Sequence, residues 1–291
     1  MILNQILTNK SDKNQLMRID AHQHFWKYHP QKHAWINDEM TVLKRNFLPT
    51  DLQKIYQANG IDACVAVQAD QSEEETEFLL QLAYQNDFIK GVVGWVDLRA
   101  KDIEQRLSQY TRFPKLKGFR HVVQSEPDPN FMLGEAFQHG LSLLLTYNFT
   151  YDILIFPTQL EAAIKTVQNF PNQKFVLDHI AKPYIKIGKI EEWEKHISQL
   201  AGYPNVYCKI SGMVTEADWQ NWQQSDFVPY LDVVFEAFGT DRLMFGSDWP
   251  VCLLGGAYTE IKGILEQYIA KRSQEDSAKI FGENASAFYG L

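Results

Sequence analysis

One kind of segment recurs eight times along the chain: a short apolar run rich in β-branched and aromatic residues, followed by a longer polar stretch with helical spacing. Such alternation predicts parallel strands joined by right-handed helical crossovers, and eight parallel strands close naturally into a barrel. The predicted strands are 18–24, 62–68, 91–97, 116–121, 151–155, 174–180, 206–211 and 243–249. We therefore predict an α/β fold, a single (β/α)8 TIM barrel with its active site at the C-terminal ends of the strands.

An open, doubly wound sheet is the alternative fold for this alternation. In a nucleotide-binding sheet of that kind, a glycine-rich phosphate turn follows the first strand. Here the sequence HFWKYH, residues 24–29, occupies that position. The barrel is therefore favoured over a nucleotide-binding sheet.

The net charge and the composition indicate which kinds of binding partner the chain can have. The formal net charge is −8 and the basic residues form no cluster, which argues against nucleic acid and anionic membrane as partners. No run approaches 18 apolar residues, so a membrane span is not expected. A small molecule is the predicted partner, and homo-oligomer formation stays open.

Cysteine usage and the first residues bear on location and domain limits. The three cysteines are odd in number, lie in apolar stretches and lack metal-site spacing, which favours a reducing, cytoplasmic compartment. Residues 1–16 are polar and aperiodic, so we predict a disordered extension there, or a true start at Met17. The barrel domain is predicted to span residues 17–291.

Two histidines end the first predicted strand in the sequence Asp20-Ala21-His22-Gln23-His24. Period-two alternation places Asp20, His22 and His24 on one face. Paired neutral imidazoles suit a divalent metal, and they can also polarise a carbonyl or hold a water molecule. The alternative is a pair of hydrogen-bonded core or surface histidines.

Two further strand ends carry groups of the same chemistry. Asp248 ends the eighth predicted strand, which neighbours the first strand in a closed barrel, and His179 ends the sixth. We therefore expect both side chains to converge with the histidine pair. A helix cap or a turn is the alternative role for Asp248.

Charged and aromatic residues near these strand ends are candidates for binding substrate. Arg120 and His121 end the fourth predicted strand, Lys209 lies within the seventh, and Lys182 follows His179. A cation in the barrel mouth would meet substrate oxygens, and a structural ion pair with a glutamate is the alternative. The candidates for aromatic pocket walls, with core packing as their alternative role, are Trp26, Tyr151 and Trp249.

Five motifs together resemble the amidohydrolase superfamily. They are DAHQHFW at 20–26, GFRH at 118–121, LDHIAKP at 177–183, KISG at 209–212 and FGSDWP at 245–250. The resemblance runs from about Met17 to the C-terminus and is strongest to the sugar lactonase branch, which includes L-fuconolactonase and L-rhamnonolactonase. It implies a barrel hydrolase that opens the cyclic ester of a sugar-acid lactone.

The resemblance also implies roles for the candidate residues. It makes His22, His24 and His179 catalytic and gives Asp248 the activation of water. The fourth strand ends without a lysine and the fifth contains no histidine, so a binuclear metal centre is not expected. Two alternatives stay open: one divalent ion, zinc above all, held by His22, His24 and Asp248 or His179, or no metal.

Two other functions fit the same barrel. One is a metal-dependent decarboxylase of an aromatic or enol carboxylic acid, which would need a firmly bound ion. The other is a barrel that has lost catalysis and only binds a ligand. The acid-base groups favour an enzyme, and the absence of a GxSxG motif favours water as the nucleophile over a serine.

Overall fold

A computed structural model describes residues 17–291, and the extension predicted for residues 1–16 lies outside this range. Eight parallel strands pair in chain order from the first to the eighth. The strands are β1 Ile19–Gln23, β2 Ala63–Val67, β3 Ile89–Gly94, β4 Leu116–His121, β5 Thr150–Ile153, β6 Phe175–Leu177, β7 Val206–Ile210 and β8 Leu243–Phe245. The predicted TIM barrel is confirmed.

Helices separate the strands and surround them. They are α1 Pro49–Asn59, α2 Glu73–Gln85, α3 Ile103–Tyr110, α4 Glu135–Leu144, α5 Leu160–Asn169, α6 Glu191–Ala201, α7 Gln224–Phe238, α8 Tyr258–Ile269, α9 Gln274–Ala278 and α10 Asn284–Tyr289. Within residues 17–291, none of them combines the length and the apolar character that crossing a membrane would require.

Two apolar layers fill the barrel and its surroundings. Inside the strands, small and branched residues such as Ala21, Val65 and Val176 pack against Phe288 and Tyr289 of α10. A larger layer lies between the strands and the outer helices. Because α10 fills the interior from one end, the opposite end is left for polar chemistry.

Backbone hydrogen bonds between the segments after β8 and β1 close the barrel. The backbone amide of Asp248 donates to the carbonyl oxygen of His22 at 2.8 Å. The backbone amide of His24 donates to the carbonyl oxygen of Trp249 at 2.7 Å. Gln23 and Trp249 form a parallel bridge at the same point. The seam of the barrel therefore lies beside both histidines of the first strand.

Strand β1 departs from the regular alternation that the sequence suggested. Its register against β2 shifts between Asp20 and Gln23, so the side-chain alternation is interrupted there. The Asp20 carboxylate accepts hydrogen bonds from the hydroxyls of Tyr56 on α1 and Tyr258 on α8. The prediction that Asp20 shares a face with His22 and His24 is therefore wrong, because Asp20 packs among the outer helices.

Strands β6 and β8 are shorter than predicted. Strand β6 ends at Leu177, and His179, Ile180, Ala181 and Lys182 then follow with φ between 47° and 59°. Strand β8 ends at Phe245, and Asp248 has a φ of 58°. Left-handed backbone is costly for residues other than glycine, and it clusters at functional sites. Both turns present candidate site residues.

Candidate active site

A cavity of about 440 Å³ opens at the C-terminal ends of the strands. Five of the residues predicted for the site line it: His24, Arg120, His179, Lys182 and Asp248. Each of these residues follows or ends a different strand, apart from His179 and Lys182, which share the turn after β6. The barrel thus brings together residues as far apart in sequence as His24 and Asp248.

Three side chains converge at the base of this cavity. His24 Nε2 lies 3.2 Å from Asp248 Oδ1 and 3.2 Å from His22 Nε2. The distance from His22 Nε2 to Asp248 Oδ1 is 4.0 Å. The three residues are at least 96% buried, so water provides little screening between them.

Hydrogen bonds on the far side of each imidazole orient the ring. His24 Nδ1 lies 2.7 Å from the carbonyl oxygen of Val67, which can only accept, so Nδ1 carries the proton and Nε2 presents a lone pair. His22 Nδ1 lies 3.2 Å from both Asp178 Oδ1 and Lys209 Nζ, but Arg120 Nη1, which can only donate, lies 3.2 Å from His22 Nε2 and places the lone pair there. Two nitrogen lone pairs and a carboxylate oxygen therefore face one another, an arrangement that suits a small cation.

His22 and His179 are neutral at physiological pH, because the pKa of each imidazole is lowered. Burial lowers the pKa of His22 well below its usual value, despite the nearby Asp178 carboxylate. Burial and the neighbouring His22 ring lower the pKa of His179 in the same way. Neutral imidazoles can bind a metal ion or donate one hydrogen bond to a substrate.

His179 depends on close approach of the backbone that follows β7. Its Nδ1 lies 2.9 Å from the Ser211 hydroxyl, and its ring centre lies 4.4 Å from that of His22. A Cβ atom built on Gly212 would lie 2.5 Å from His179 Nδ1, and Gly212 has a φ of +60°. Only glycine fits this position without moving His179. Two sets of residues could therefore hold a metal ion. One set is His22, His24 and Asp248, and the other is His22, Asp178 and His179.

Arg120 extends from β4 into the same cluster. Its Nη1 lies 3.2 Å from His22 Nε2 and 3.1 Å from Asp178 Oδ2, and its Nη2 donates to the Gln68 carbonyl oxygen. The guanidinium therefore places a fixed positive charge beside His22. Because Arg120 also lines the cavity, that charge is available to a substrate oxygen.

Lys209 occupies a different place from the one the sequence suggested. Its side chain is fully buried, and its Nζ lies 2.5 Å from Asp152 Oδ2 and 2.9 Å from Asp178 Oδ1. Lys209 is not among the residues that line the cavity. The predicted substrate contact is corrected to the structural ion pair, with aspartates as partners instead of a glutamate.

Asp178 links these charges, and the sequence alone assigned it no catalytic role. Burial raises the pKa of its carboxyl, but Lys209, His22 and Arg120 outweigh burial and hold the pKa well below its usual value. In a regular strand, the adjacent residues Asp178 and His179 would face opposite ways. Because the strand ends at Leu177, both side chains instead reach the interior.

Four other predicted substrate contacts lie outside the cavity lining. Trp26, Tyr151 and Trp249 are at most 1% exposed and pack among aromatic side chains, so core packing accounts for them. His121 Nε2 lies 2.6 Å from Glu126 Oε1, and its ring stacks on Phe131. The structure thus makes His121 an anchor for the loop after β4.

The loops after the strands supply cavity residues that the sequence did not single out. Lys182 Nζ lies 3.6 Å from Glu216 Oε1, and both residues line the cavity. The indoles of Trp35 and Trp219 and the amides of Gln71 and Gln124 line it as well. Loop residues of this kind carry no periodic or motif signal, so sequence reasoning could not have located them.

Comparisons with known proteins agree with this geometry. The amidohydrolase family model matches residues 19–291. The L-fucono-1,5-lactonase of Burkholderia multivorans is 38% identical over 286 residues, which are 94% of this chain and 96% of the relative. The chain belongs to the amidohydrolase family, as the sequence motifs suggested.

Solved structures share the fold. The crystal structure of an amidohydrolase from B. multivorans with bound zinc is 39% identical, with a TM-score of 0.90 over 94% of this chain and 99% of that one. A dihydroxybenzoic acid decarboxylase from Polaromonas sp. JS666 has a TM-score of 0.68 over 94% of this chain and 97% of that one. At 12% identity, the second likeness shows the fold alone.

Proposed function

We propose that the chain hydrolyses the cyclic ester of a sugar-acid lactone. The observation that carries this proposal is the 38% identity, over 94% of the chain, to the L-fucono-1,5-lactonase of B. multivorans. The cavity supports it with a buried carboxylate, neutral imidazoles and a guanidinium at its base. L-Fucono-1,5-lactone is therefore the first substrate to test.

Asp248 is the proposed general base. Its carboxylate accepts a proton from a water molecule while that water attacks the lactone carbonyl carbon and forms a new C–O bond. The Arg120 guanidinium and the imidazole of His179 stabilise the negative charge that develops on the carbonyl oxygen. The Nε2 lone pair of His24 or of His22 accepts a hydrogen bond from the second O–H group of that water and so holds the water in position.

Ring opening reverses the proton transfer. The bond between the carbonyl carbon and the ring oxygen breaks, and protonated Asp248 gives its proton to the departing alkoxide. The product is an open-chain hydroxy acid, whose carboxylate faces Arg120 and Lys182. One carboxyl group thus serves both steps, and the net reaction consumes one water molecule.

The donor set fits a single divalent ion. The lone pairs of His22 Nε2 and His24 Nε2 and the Asp248 Oδ1 atom would hold it, and zinc prefers such ligands. An ion there supplies Lewis acidity, which polarises a carbonyl and acidifies water. The Arg120 charge, 3.2 Å from His22 Nε2, weakens cation binding at this position.

A lactone panel tests the function. Hydrolysis of L-fucono-, L-rhamnono-, L-galactono- and D-arabinono-lactone is followed with a pH indicator, before and after treatment with a chelator. Turnover of at least one aldonolactone is expected. Carbon dioxide release from a hydroxybenzoate by a protein that is inactive on every lactone would instead favour the decarboxylase.

The cellular compartment and the oligomeric state are proposed from the sequence alone. Cys64, Cys208 and Cys252 are free and buried, and we propose a cytoplasmic location on the basis of cysteine usage. Light scattering would decide whether the chain forms a homo-oligomer.

A further inference from the structure

An ion pair between the turns after β6 and β7 forms part of the cavity wall. Lys182 lies in the first of these turns and Glu216 in the second, and both residues line the cavity. Lys182 Nζ lies 3.6 Å from Glu216 Oε1, and the two side chains are 17% and 19% exposed. A ligand that enters the cavity can therefore reach both charges.

The contact between the two charges is loose. A hydrogen bond between an ammonium group and a carboxylate normally spans about 2.7–2.9 Å, which is shorter than the distance in this pair. Among residues 17–291, no second carboxylate pairs with Lys182. The Lys182 backbone is nevertheless anchored, because its amide donates to the carbonyl oxygen of His179 at 2.8 Å. The ammonium group can thus exchange one carboxylate partner for another without a movement of the backbone.

The pair lies within electrostatic reach of the reacting groups. Burial lowers the pKa of His179, and the charge of Lys182 contributes to this shift. Burial raises the pKa of the Glu216 carboxyl, and the Asp248 carboxylate adds to the increase, whereas Lys182 opposes it. A change of charge at Lys182 or Glu216 therefore affects a ligand that is bound at His179 and Asp248.

The proposed reaction changes the charge of the ligand. A lactone is neutral, whereas the open-chain acid formed from it carries a carboxylate at neutral pH. Arg120 and Lys182 attract this carboxylate more strongly than they attract the lactone, so they slow the departure of the product. A negative charge beside them has the opposite effect: it weakens the binding of the anionic product and changes the binding of the neutral substrate little.

We propose that Glu216 promotes release of the product by competing with the newly formed carboxylate for the ammonium group of Lys182. Lys182 is paired with Glu216 while the neutral lactone occupies the cavity. After ring opening, the two carboxylates share the ammonium group, and its return to Glu216 frees the product. Glu216 is a positioning residue, because it acts through Lys182. The inference rests on the proposed lactone hydrolysis and adds a means of distinguishing the neutral substrate from the anionic product.

The test measures binding of the product directly. The best aldonolactone of the panel is the substrate, and the aldonate anion formed from it is titrated into the protein at pH 8 by isothermal titration calorimetry. Glu216→Gln keeps the shape of the side chain but removes its charge, so the Kd of the aldonate should fall about tenfold. The kcat/KM for the neutral lactone should stay within about twofold of the wild type.

Matched variants control the measurement. Glu216→Asp keeps the charge, so the Kd of the aldonate should stay within about threefold of the wild type. Glu192→Gln should leave the Kd unchanged, because Glu192 belongs to a surface pair in which Lys189 Nζ lies 3.8 Å from Glu192 Oε2. Lys182→Met should raise the Kd about tenfold. When Lys182→Met is present, Glu216→Gln should change the Kd less than about threefold, because the residue through which Glu216 acts is missing.

The proposal has a definite sign, and loss of the fold does not produce tighter binding of a ligand. An unchanged or higher Kd in a folded Glu216→Gln protein would overturn the inference. An equal effect of Glu216→Gln with and without Lys182→Met would also overturn it, since Glu216 would then act independently of Lys182. A wild-type Kd in Lys182→Met would do the same, and this result does not depend on the folding of Glu216→Gln. A wild-type protein that hydrolyses no lactone would instead refute the proposed function, so the two failures are distinguishable.

Discussion

His24 Nε2 and Asp248 Oδ1 lie 3.2 Å apart, although 224 residues separate them in the sequence. The Val67 carbonyl fixes the proton of His24 on Nδ1, so the atoms that face each other are both acceptors. Two facing acceptors need a proton donor or a cation between them. We therefore place the activated water at this contact.

Gly212 is expected to be essential for the position of His179. In Gly212→Ala, the new Cβ would lie 2.5 Å from His179 Nδ1, so the imidazole must move and kcat/KM should fall at least about tenfold. Gly239→Ala is the matched control, because Gly239 has a φ of +63° and no atom within 4 Å of an added Cβ. Both variants bear the backbone cost of about 1 kcal/mol, but only Gly212→Ala should lose activity. Equal activity in the two variants would contradict the role given to Gly212.

Lys209 is expected to stabilise the barrel interior. Lys209→Met leaves Asp152 and Asp178 without their shared cation, so the free energy of unfolding should fall by about 3–5 kcal/mol. Combining Lys209→Met with Asp152→Asn removes one of the unpaired charges, so the double variant should be more stable than Lys209→Met alone. Urea denaturation measures both changes.

Lys189→Met is the control for this experiment. Lys189 pairs with Glu192 on the surface, where the two side chains are 54% and 83% exposed, and the free energy of unfolding should stay nearly unchanged. Strictly additive effects of Lys209→Met and Asp152→Asn would show that the two residues are not coupled.

Glu75 is expected to make the stability depend on pH. Burial raises the pKa of its carboxyl to about 7, although the carboxylate accepts a hydrogen bond from the Ala69 amide at 3.1 Å. The folded chain therefore binds this proton more tightly than the unfolded chain does. The resulting stability is present below about pH 4.5 and is lost as the pH rises through 7.

Glu75→Gln keeps the size of the side chain and removes the titration. Between pH 5 and pH 8, the free energy of unfolding of the wild type should fall by about 2–3 kcal/mol relative to this variant. Urea denaturation at both pH values gives the difference. A constant difference would mean that Glu75 titrates at the same pH in the folded and unfolded chains.

The fold followed from the sequence because alternation of strands and helices is a repeated signal over the whole chain. The ends of β6 and β8 could not be predicted from the sequence. Residues 178–180 and 246–249 include apolar residues typical of strands, but they lie outside the strands in the structure. His179, Ile180 and Asp248 have positive φ there, a conformation that residues other than glycine rarely adopt. Local propensity contains no information on such strain.

The candidate site was predicted in part for related reasons. Strand ends and motifs located His22, His24, His179 and Asp248, because the C-terminal ends of barrel strands meet in one place. A one-residue irregularity in β1 moved Asp20 to the outer face, and such a shift is invisible to an alternation pattern.

The sequence also did not show how deep in the barrel each charged side chain lies. Arg120 and Lys209 both lie on strands, yet only Arg120 lines the cavity, while Lys209 is fully buried below it. The partners that neutralise Lys209 come from β5 and from the turn after β6. Only the assembled barrel brings those carboxylates together.

The turnover of an aldonolactone by Asp248→Asn tests whether Asp248 is the general base. Asparagine keeps the shape but cannot take a proton from water, so kcat should fall at least about 100-fold while the melting temperature shows an intact fold. Asp87→Asn, a matched change at an exposed residue, should keep wild-type turnover. Wild-type turnover by a folded Asp248→Asn protein would contradict the account, because the water would then be activated by another group.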